Sequence, residues 1–356
     1  MKITRVKYRT EYLKLTRPYS IAYQTIDAVE NIFVQLDTET GNQGLGVASP
    51  AESVTGESFD DCRAALEKNL EPLLLGRDIR HLNAISRELI ENMPQTPAAR
   101  TAIDIALHDV LAQHLDLPLV DLLGRTHQAL PTSITIGIKS VPESLAEAAE
   151  YIERGFNVLK VKIGKSLEED LEVLHKLRVK VGDDIVIRVD ANQGYTAATF
   201  AEFMDKTQTI NIEFVEQPLP ADDIEGMFSL DESARRLTCA DESLLNAQKA
   251  LEFAHRPQPF GIYNIKLMKC GGIAPALQIA DVAHLAGIDL MWGCMDESIV
   301  SIAAALHAAL ASPATKYLDL DGSLDLSHDL VRGGFIIKNG IMHLLDKPGL
   351  GIERID

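Results

Sequence analysis

Six residues stand where their type and spacing could do chemistry, and the first two are lysines. Lys160-Val161-Lys162 closes a run of β-forming residues. Residues i and i+2 of a strand share a face, so both ammonium groups project together while Val161 points away. Adjacent ammoniums disfavour each other's charge, which predicts a lowered pKa for at least one of them and suits a general base. A K-x-K triplet taken alone is ordinarily a pair of surface lysines. Further along, Asp190 follows Arg188-Val189, Glu216 follows Phe214-Val215, and Asp241 follows Cys239-Ala240. An unpaired carboxylate directly behind apolar β-formers is costly. One such acid is usually a helix cap or a salt-bridge partner. Three in series offer hard oxygen ligands to Mg²⁺, with octahedral positions left for substrate or water. Lys266 closes another run, ahead of Leu267-Met268-Lys269-Cys270-Gly271-Gly272. The double glycine lets the backbone turn sharply or approach a neighbour closely.

The elements that must hold these residues follow one rhythm. From Lys160 through Asp190, Glu216 and Asp241 to Lys266 the steps are 30, 26, 25 and 25 residues. Strands are predicted at Thr132–Ile138, Val158–Ile163, Ile185–Val189, Ile212–Val215, Leu237–Ala240, Gly261–Ile265, Asp289–Trp292 and Lys316–Leu320. Amphipathic helical stretches such as Ser144–Arg154, Leu167–Val181, Ala274–Ala286 and Val300–Ala311 lie between them. Repeated strand–helix units at this spacing suit a parallel (β/α) barrel better than an open sheet, with the active site at the carboxyl ends of the strands. A barrel sets its second and sixth strands on nearly opposite walls, so Lys162 and Lys266 face each other across the carboxylates. That arrangement suits removing a proton from one face of a carbon and delivering one to the other, the metal stabilising the enolate formed between.

Up to residue 125 the order is strands, then helices. Ile3–Leu15, Glu30–Asp37 and Gly44–Ala48 read as strands, and Ser58–Leu75, Ile79–Glu91 and Ala98–His114 as helices, which makes a separate α+β unit. The tail, with Gly333-Gly334 and Lys347–Gly351, leaves the rhythm and is expected to return to that unit. The expected divisions are 1–125, 126–322 and 323–356.

Length and charge narrow the function. At 356 residues the chain is long enough for two domains and a large core. Lys and Arg number 34 and Asp and Glu 52, so 34 − 52 leaves −18. That balance argues against binding nucleic-acid backbones or an anionic membrane surface. Cys62, Cys239, Cys270 and Cys294 show no C-x-x-C spacing and read as reduced thiols. Met1 to Lys7 alternates like a strand and lacks the apolar core of a signal peptide, so the cytoplasm is the expected setting.

As a set, Lys160-Val161-Lys162, Asp190-Ala191-Asn192, Glu216-Gln217-Pro218, Asp241-Glu242-Ser243 and Lys266 through Gly272 resemble the enolase superfamily, and within it the muconate-lactonizing subgroup. The resemblance covers nearly the whole chain. It implies an α/β fold, a modified (β/α)7β barrel with an N-terminal α+β capping domain completed by the C-terminal tail. It also implies that Lys162 and Lys266 are the acid/base catalysts and that Asp190, Glu216 and Asp241 hold Mg²⁺. Lys160 would sit beside the substrate carboxylate.

The subgroup includes cycloisomerases, o-succinylbenzoate synthases, N-acylamino acid racemases and dipeptide epimerases. Asp319-Leu320-Asp321 puts two carboxylates on one face of a strand end, where they can bind an ammonium group. The pair resembles that of dipeptide epimerases, which holds the free amino terminus of an Ala-X substrate. The implied reaction is 1,1-proton transfer at the α-carbon of the second residue. Thr135 and the loop Cys294-Met295-Asp296 are expected against the peptide backbone, and Asn192 near metal-bound water or substrate. Specificity is expected from the loop Arg17–Thr25. Members that act on L-Ala-D/L-Glu carry an arginine where this chain aligns Gln24, while Tyr19, Ile21 and Tyr23 favour an Ala-X peptide with X hydrophobic or uncharged. The rival readings are an N-acylamino acid racemase, an o-succinylbenzoate synthase, or a catalytically silent metal-dependent binding protein. His108 and His307 lie in helical patterns and read as satisfied core or interface residues. The expected partner is a small dipeptide, and a homo-oligomer is expected because such barrels commonly form one.

Overall fold

The computed structural model describes residues 1–21 and 24–355, with side chains described throughout except for 18–26. The specificity roles expected of Tyr19, Ile21, Tyr23 and Gln24 therefore lie outside the described residues and side chains. Three antiparallel strands open the chain, β1 (Ile3–Ile21), β2 (Gln24–Thr38) and β3 (Gln43–Ala48), in that order across the sheet. The β1–β2 ribbon runs longer than the alternation of residues predicts. Its register shifts between Lys14 and Tyr19, a stretch that contains Pro18, which has no N–H to give to a ladder.

Helices Phe59–Leu74, Leu82–Asn92 and Pro97–His114 follow. The first opens on a reciprocal capping box between Ser58 and Asp61. The helix expected over Ile79–Glu91 is preceded by a separate 3₁₀ turn, Ile79–His81. Pro97–His114 lies against β3 and is buried along nearly its whole length.

After β4 (Ala129–Pro131) come eight parallel strands: β5 (Ile134–Ile136), β6 (Val158–Lys162), β7 (Val186–Asp190), β8 (Ile212–Glu216), β9 (Thr238–Ala240), β10 (Ile262–Ile265), β11 (Asp289–Gly293) and β12 (Thr315–Asp319). They are hydrogen-bonded in sequence order from β5 to β12. A parallel bridge between Thr132 and Leu318 brings the two ends together, with Ser133 N donating to the Leu318 carbonyl at 3.0 Å. Each of the seven crossovers carries a helix and none follows β12 before the tail, so this is a nearly closed (β/α)7β barrel.

Period-2 alternation sorts the strand residues into two environments. Leu159, Val161, Ile187, Val189, Val215, Ile265 and Trp292 face outward into the core shared with the helices. Inside the barrel, Phe214, Cys239, Ile262, Met291 and Tyr317 form a small separate apolar plug. Arg188 crosses that plug, its guanidinium 5.3 Å from the Phe214 ring and 4.9 Å from Tyr317, and bonds Glu213 at 2.7 Å. One step nearer the carboxyl ends, the inward positions become charged.

The tail divides. Ser327 N donates to the Lys14 carbonyl, and Thr16 N to the Asp325 carbonyl, each at 2.7 Å. Beyond them β13 (Val331–Gly333) pairs with β16 (Ile352–Arg354), while β14 (Phe335–Lys338) and β15 (Ile341–Leu344) form a sheet with β4. Among the described residues no helix is long and apolar enough to cross a membrane.

The double glycine is a site of close approach. Gly272 has φ 119°, and a Cβ there would stand 2.5 Å from Asp104 Cβ. Gly272→Ala is expected to lower stability by about 2–4 kcal/mol through backbone strain plus overpacking. Urea denaturation checks this; an unchanged midpoint would mean that the helices simply draw apart.

Candidate active site

The charged layer gathers at the carboxyl ends of the strands. Lys160 and Lys162 share the inward face of β6. Lys160 Nζ lies 2.7 Å from Glu216 Oε2, 2.7 Å from Asp319 Oδ2 and 3.1 Å from Asp190 Oδ2. Burial works against its charge, but Asp319, Glu216 and Asp190 outweigh burial and hold its pKa well above the ordinary lysine value. The lowering expected for at least one of the paired lysines therefore does not fall on Lys160, where three carboxylates outweigh one neighbouring ammonium. Lys162, about a third exposed, donates to Asp190 Oδ2 at 3.1 Å and Asn192 Oδ1 at 2.9 Å.

On the opposite wall, Lys266 directly follows β10. It donates to Asp241 Oδ2 at 2.7 Å. Burial disfavours the Lys266 ammonium, but Asp241 raises its pKa above the ordinary value. Lys269 donates to Asp241 Oδ1 at 2.5 Å and to the Asp241 carbonyl at 2.6 Å. Burial would push Asp241 up; Lys266 and Lys269 instead pull it far below the usual carboxylate range.

The other two strand-end acids part ways. Burial raises Asp190, yet Lys162 and Lys160 bring it down to about 2. Glu216 is pushed up to about 8 by burial and then by the Asp190 charge. Its Oε1 accepts from Asn264 Nδ2 at 2.7 Å, whereas its buried Oε2 accepts no aligned hydrogen bond. A buried acid beside two others needs added positive charge to ionise. Asp190, Glu216 and Asp241 are therefore a donor set that a hard divalent cation fits. Among the described residues no three acids, histidines or cysteines form a ready-made cation cage, since ammonium groups stand between the carboxylates.

The Asp319/Asp321 pair divides as well. Asp319 spends both oxygens inside the barrel, Oδ1 on Ser133 Oγ at 2.6 Å and Oδ2 on Lys160 at 2.7 Å. Asp321 accepts from Thr135 N at 2.7 Å, with Cys294 Sγ 3.9 Å from its other oxygen. Burial and the Asp319 charge push Asp321 up to about 7. Thr135 thus meets the site through its backbone N–H and its side chain, both bonded to Asp321. Asn192 bridges Lys162 to Glu242, donating to Glu242 Oε1 at 3.3 Å. Asp296 lies on the loop after β11, where its carbonyl accepts from Ser49 Oγ at 3.3 Å.

Four supporting residues escaped the sequence reading. Lys269 lies three residues beyond Lys266 on a one-turn helix, and Asn264 two residues before it on the strand, so both spacings place them on its side. Ser133 stands two residues before Thr135. Gln217 Oε1 accepts from the Asp241 and Ser243 backbones at 3.0 and 3.1 Å, which fixes the turn that follows β9.

Two family descriptions match this chain: mandelate racemase / muconate lactonizing enzyme, N-terminal domain, over residues 3–124, and enolase C-terminal domain-like, over residues 143–355. The chain belongs to the enolase superfamily. Among curated members, the L-Lys-D/L-Arg epimerase of Desulforapulum autotrophicum is 56% identical over all of both chains. A hydrophobic dipeptide epimerase of Enterococcus faecalis is 36% identical, covering 99% of this chain and 100% of its own. A solved dipeptide epimerase from Methylococcus capsulatus, complexed with Mg and the dipeptide L-Arg-D-Lys, superposes at a TM-score of 0.96 and 52% identity over 99% of each chain. These superfamily members are epimerases of dipeptides, a class of isomerase.

Proposed function

We propose that this chain is a magnesium-dependent dipeptide epimerase that inverts the α-carbon of the second residue. The observation that carries the reading is the placement of Lys162 and Lys266. Their strands, β6 and β10, are four steps apart in either direction around eight, and the carboxylates lie between them. Asp190, Glu216 and Asp241 would hold Mg²⁺, which when bound offsets negative charge developing on the substrate carboxylate. Lys160, held as an ammonium, adds fixed positive charge beside that carboxylate. One of Lys162 and Lys266 takes the α-proton with its lone pair, and the other gives a proton to the opposite face. The two exchange roles with substrate configuration. Asp321 receives the free α-ammonium, a group that N-acylamino acids and o-succinylbenzoate precursors lack.

For the side chains we favour cationic residues. The relatives more than half identical to this chain act on, or are complexed with, Lys- and Arg-containing dipeptides. The net charge of −18 and the further carboxylate of Asp296 beside the site suit such a substrate. The expectation of Ala-X with X hydrophobic or uncharged stands second, supported by the 36% identical relative named for hydrophobic dipeptides.

Incubating the Mg²⁺-loaded enzyme in D₂O with L-Lys-L-Arg, L-Ala-L-Val, L-Ala-L-Phe and L-Ala-L-Glu separates these readings. Cationic peptides are expected to exchange their α-proton about tenfold faster or more, as one charge-assisted contact provides. That advantage should shrink as ionic strength rises. Ala-Val or Ala-Phe exchanging as fast as Lys-Arg would overturn the cationic preference. No exchange with any peptide would sink the epimerase reading.

A further inference from the structure

One stripe of the helix Pro97–His114 faces the segment that carries Lys266. Arg100, Thr101, Asp104 and His108 recur at helical spacing and are all buried. Thr101 Oγ1 donates to the Leu267 carbonyl at 2.7 Å, one residue beyond Lys266. Asp104 Oδ2 holds the far end, accepting from Ile273 N at 2.6 Å and Ala274 N at 3.4 Å. It thereby caps the helix Ile273–Ala286, whose own N-cap residue, Gly272, has no side chain to do so. Between these two points the chain runs over Gly271 and Gly272, with φ of 97° and 119°. A Cβ at Gly271 would stand 2.8 Å from Arg100 Nε. His108 Nδ1 lies 3.2 Å from Asp104 Oδ2 and 2.8 Å from the Asp104 carbonyl, which holds that carboxylate in place. The clamped stretch presents the Lys266 and Lys269 ammonium groups to Asp241. Lys162 sits on β6, on the other side of the site, and its bonds go to Asp190 and Asn192.

We propose that Asp104, helped by Thr101, is a positioning residue for Lys266: the N-terminal unit sets the pose of one acid/base lysine and not of the other. The proposal rests on the epimerase reading. In that reaction the Lys266 lone pair takes the α-proton from one face and the C–H electrons pass into the enolate. A proton from the Lys162 ammonium then completes inversion, or the Lys266 proton returns without it. In D₂O a lysine that has exchanged its N–H returns a deuteron, so each lysine reports on the epimer whose α-proton faces it. Misplacing a reacting group by about 1 Å costs on the order of 10²-fold.

The test uses the Mg²⁺-loaded full chain, at saturating Mg²⁺, with both epimers of a peptide that it turns over, followed by ¹H NMR in D₂O. Lys162→Ala and Lys266→Ala first identify which epimer each lysine serves. Asp104→Ala is then expected to slow exchange about 10- to 100-fold in the epimer served by Lys266, and to leave the other within about threefold. Thr101→Val should bias the same epimer less strongly, and it decides the matter should Asp104→Ala not fold. Equal slowing of both epimers, or wild-type rates for both, in either folded variant would overturn the proposal and leave the epimerase reading intact. No exchange by the unsubstituted enzyme would overturn both.

Discussion

Lys162→Ala and Lys266→Ala should each cut epimerisation about 10³-fold or more, and each should retain α-proton exchange in one epimer only. Positioned general acid–base groups contribute about 10²–10⁴-fold, and inversion needs both lysines, so either deletion blocks it. Exchange without inversion needs one. The lysines stand on opposite walls, so the surviving exchange must belong to opposite epimers in the two variants. Neither change should unfold the protein. Lys162 is partly exposed, and after loss of Lys266 the buried Asp241 keeps the Lys269 ammonium at 2.5 Å. ¹H NMR of both epimers in D₂O measures the pattern. Either variant inverting within tenfold of the parent enzyme, or both variants exchanging the same epimer, would refute two-lysine chemistry.

Much of this site was legible in the sequence because a strand has a period of two. Once Lys160, Asp190, Glu216, Asp241 and Lys266 are read as closing successive strands, barrel geometry turns them toward one mouth, and the structure places them there. What stayed hidden depends on partners chosen across the fold. Asp104 and Ile273 are 169 residues apart, and nothing near Asp104 in the chain distinguishes it from a solvated helical acid. Arg188 sits directly before Val189-Asp190, yet its role in spanning the barrel plug emerges only when Phe214 and Tyr317 converge on it. The surroundings of Lys160 were hidden for the same reason. Adjacency reveals the neighbouring ammonium of Lys162, but Glu216 and Asp319 arrive from strands 56 and 159 residues away. The full length of the β1–β2 ribbon is hidden in the sequence because Thr16-Arg17-Pro18 breaks the alternation, while the folded ribbon absorbs that break as a register shift.

Asp319→Asn and Asp321→Asn, two substitutions in one motif, should fail differently. Asp319 links Ser133 to the Lys160 ammonium, so Asp319→Asn loosens the charge proposed to meet every substrate's carboxylate. It should lower kcat about 10²-fold for dipeptides and for any N-acylated analogue that the enzyme accepts. Asp321 is partly buried, and among the described residues its oxygens meet Thr135 and Cys294 rather than a lysine, so Asp321→Asn should act on KM, by about 10- to 100-fold, and only for peptides with a free amino terminus. The pH profile separates them further. With Asp321 pushed up to about 7, the free enzyme carries a neutral carboxyl below that pH, so KM for dipeptides should rise as pH falls through 7. Asp321→Asn should flatten that rise, and Asp319→Asn should not. Stability should move the opposite way. A carboxyl whose folded pKa lies above its unfolded value favours the fold fully at pH below the unfolded pKa, and that contribution is lost as pH rises through about 7. Asp321→Asn should therefore raise Tm relative to the parent at pH 8 and leave it nearly unchanged at pH 4. If Asp321→Asn instead lowered kcat equally for free and N-acylated peptides, with no effect on the pH dependence of KM, the ammonium would have to be bound elsewhere.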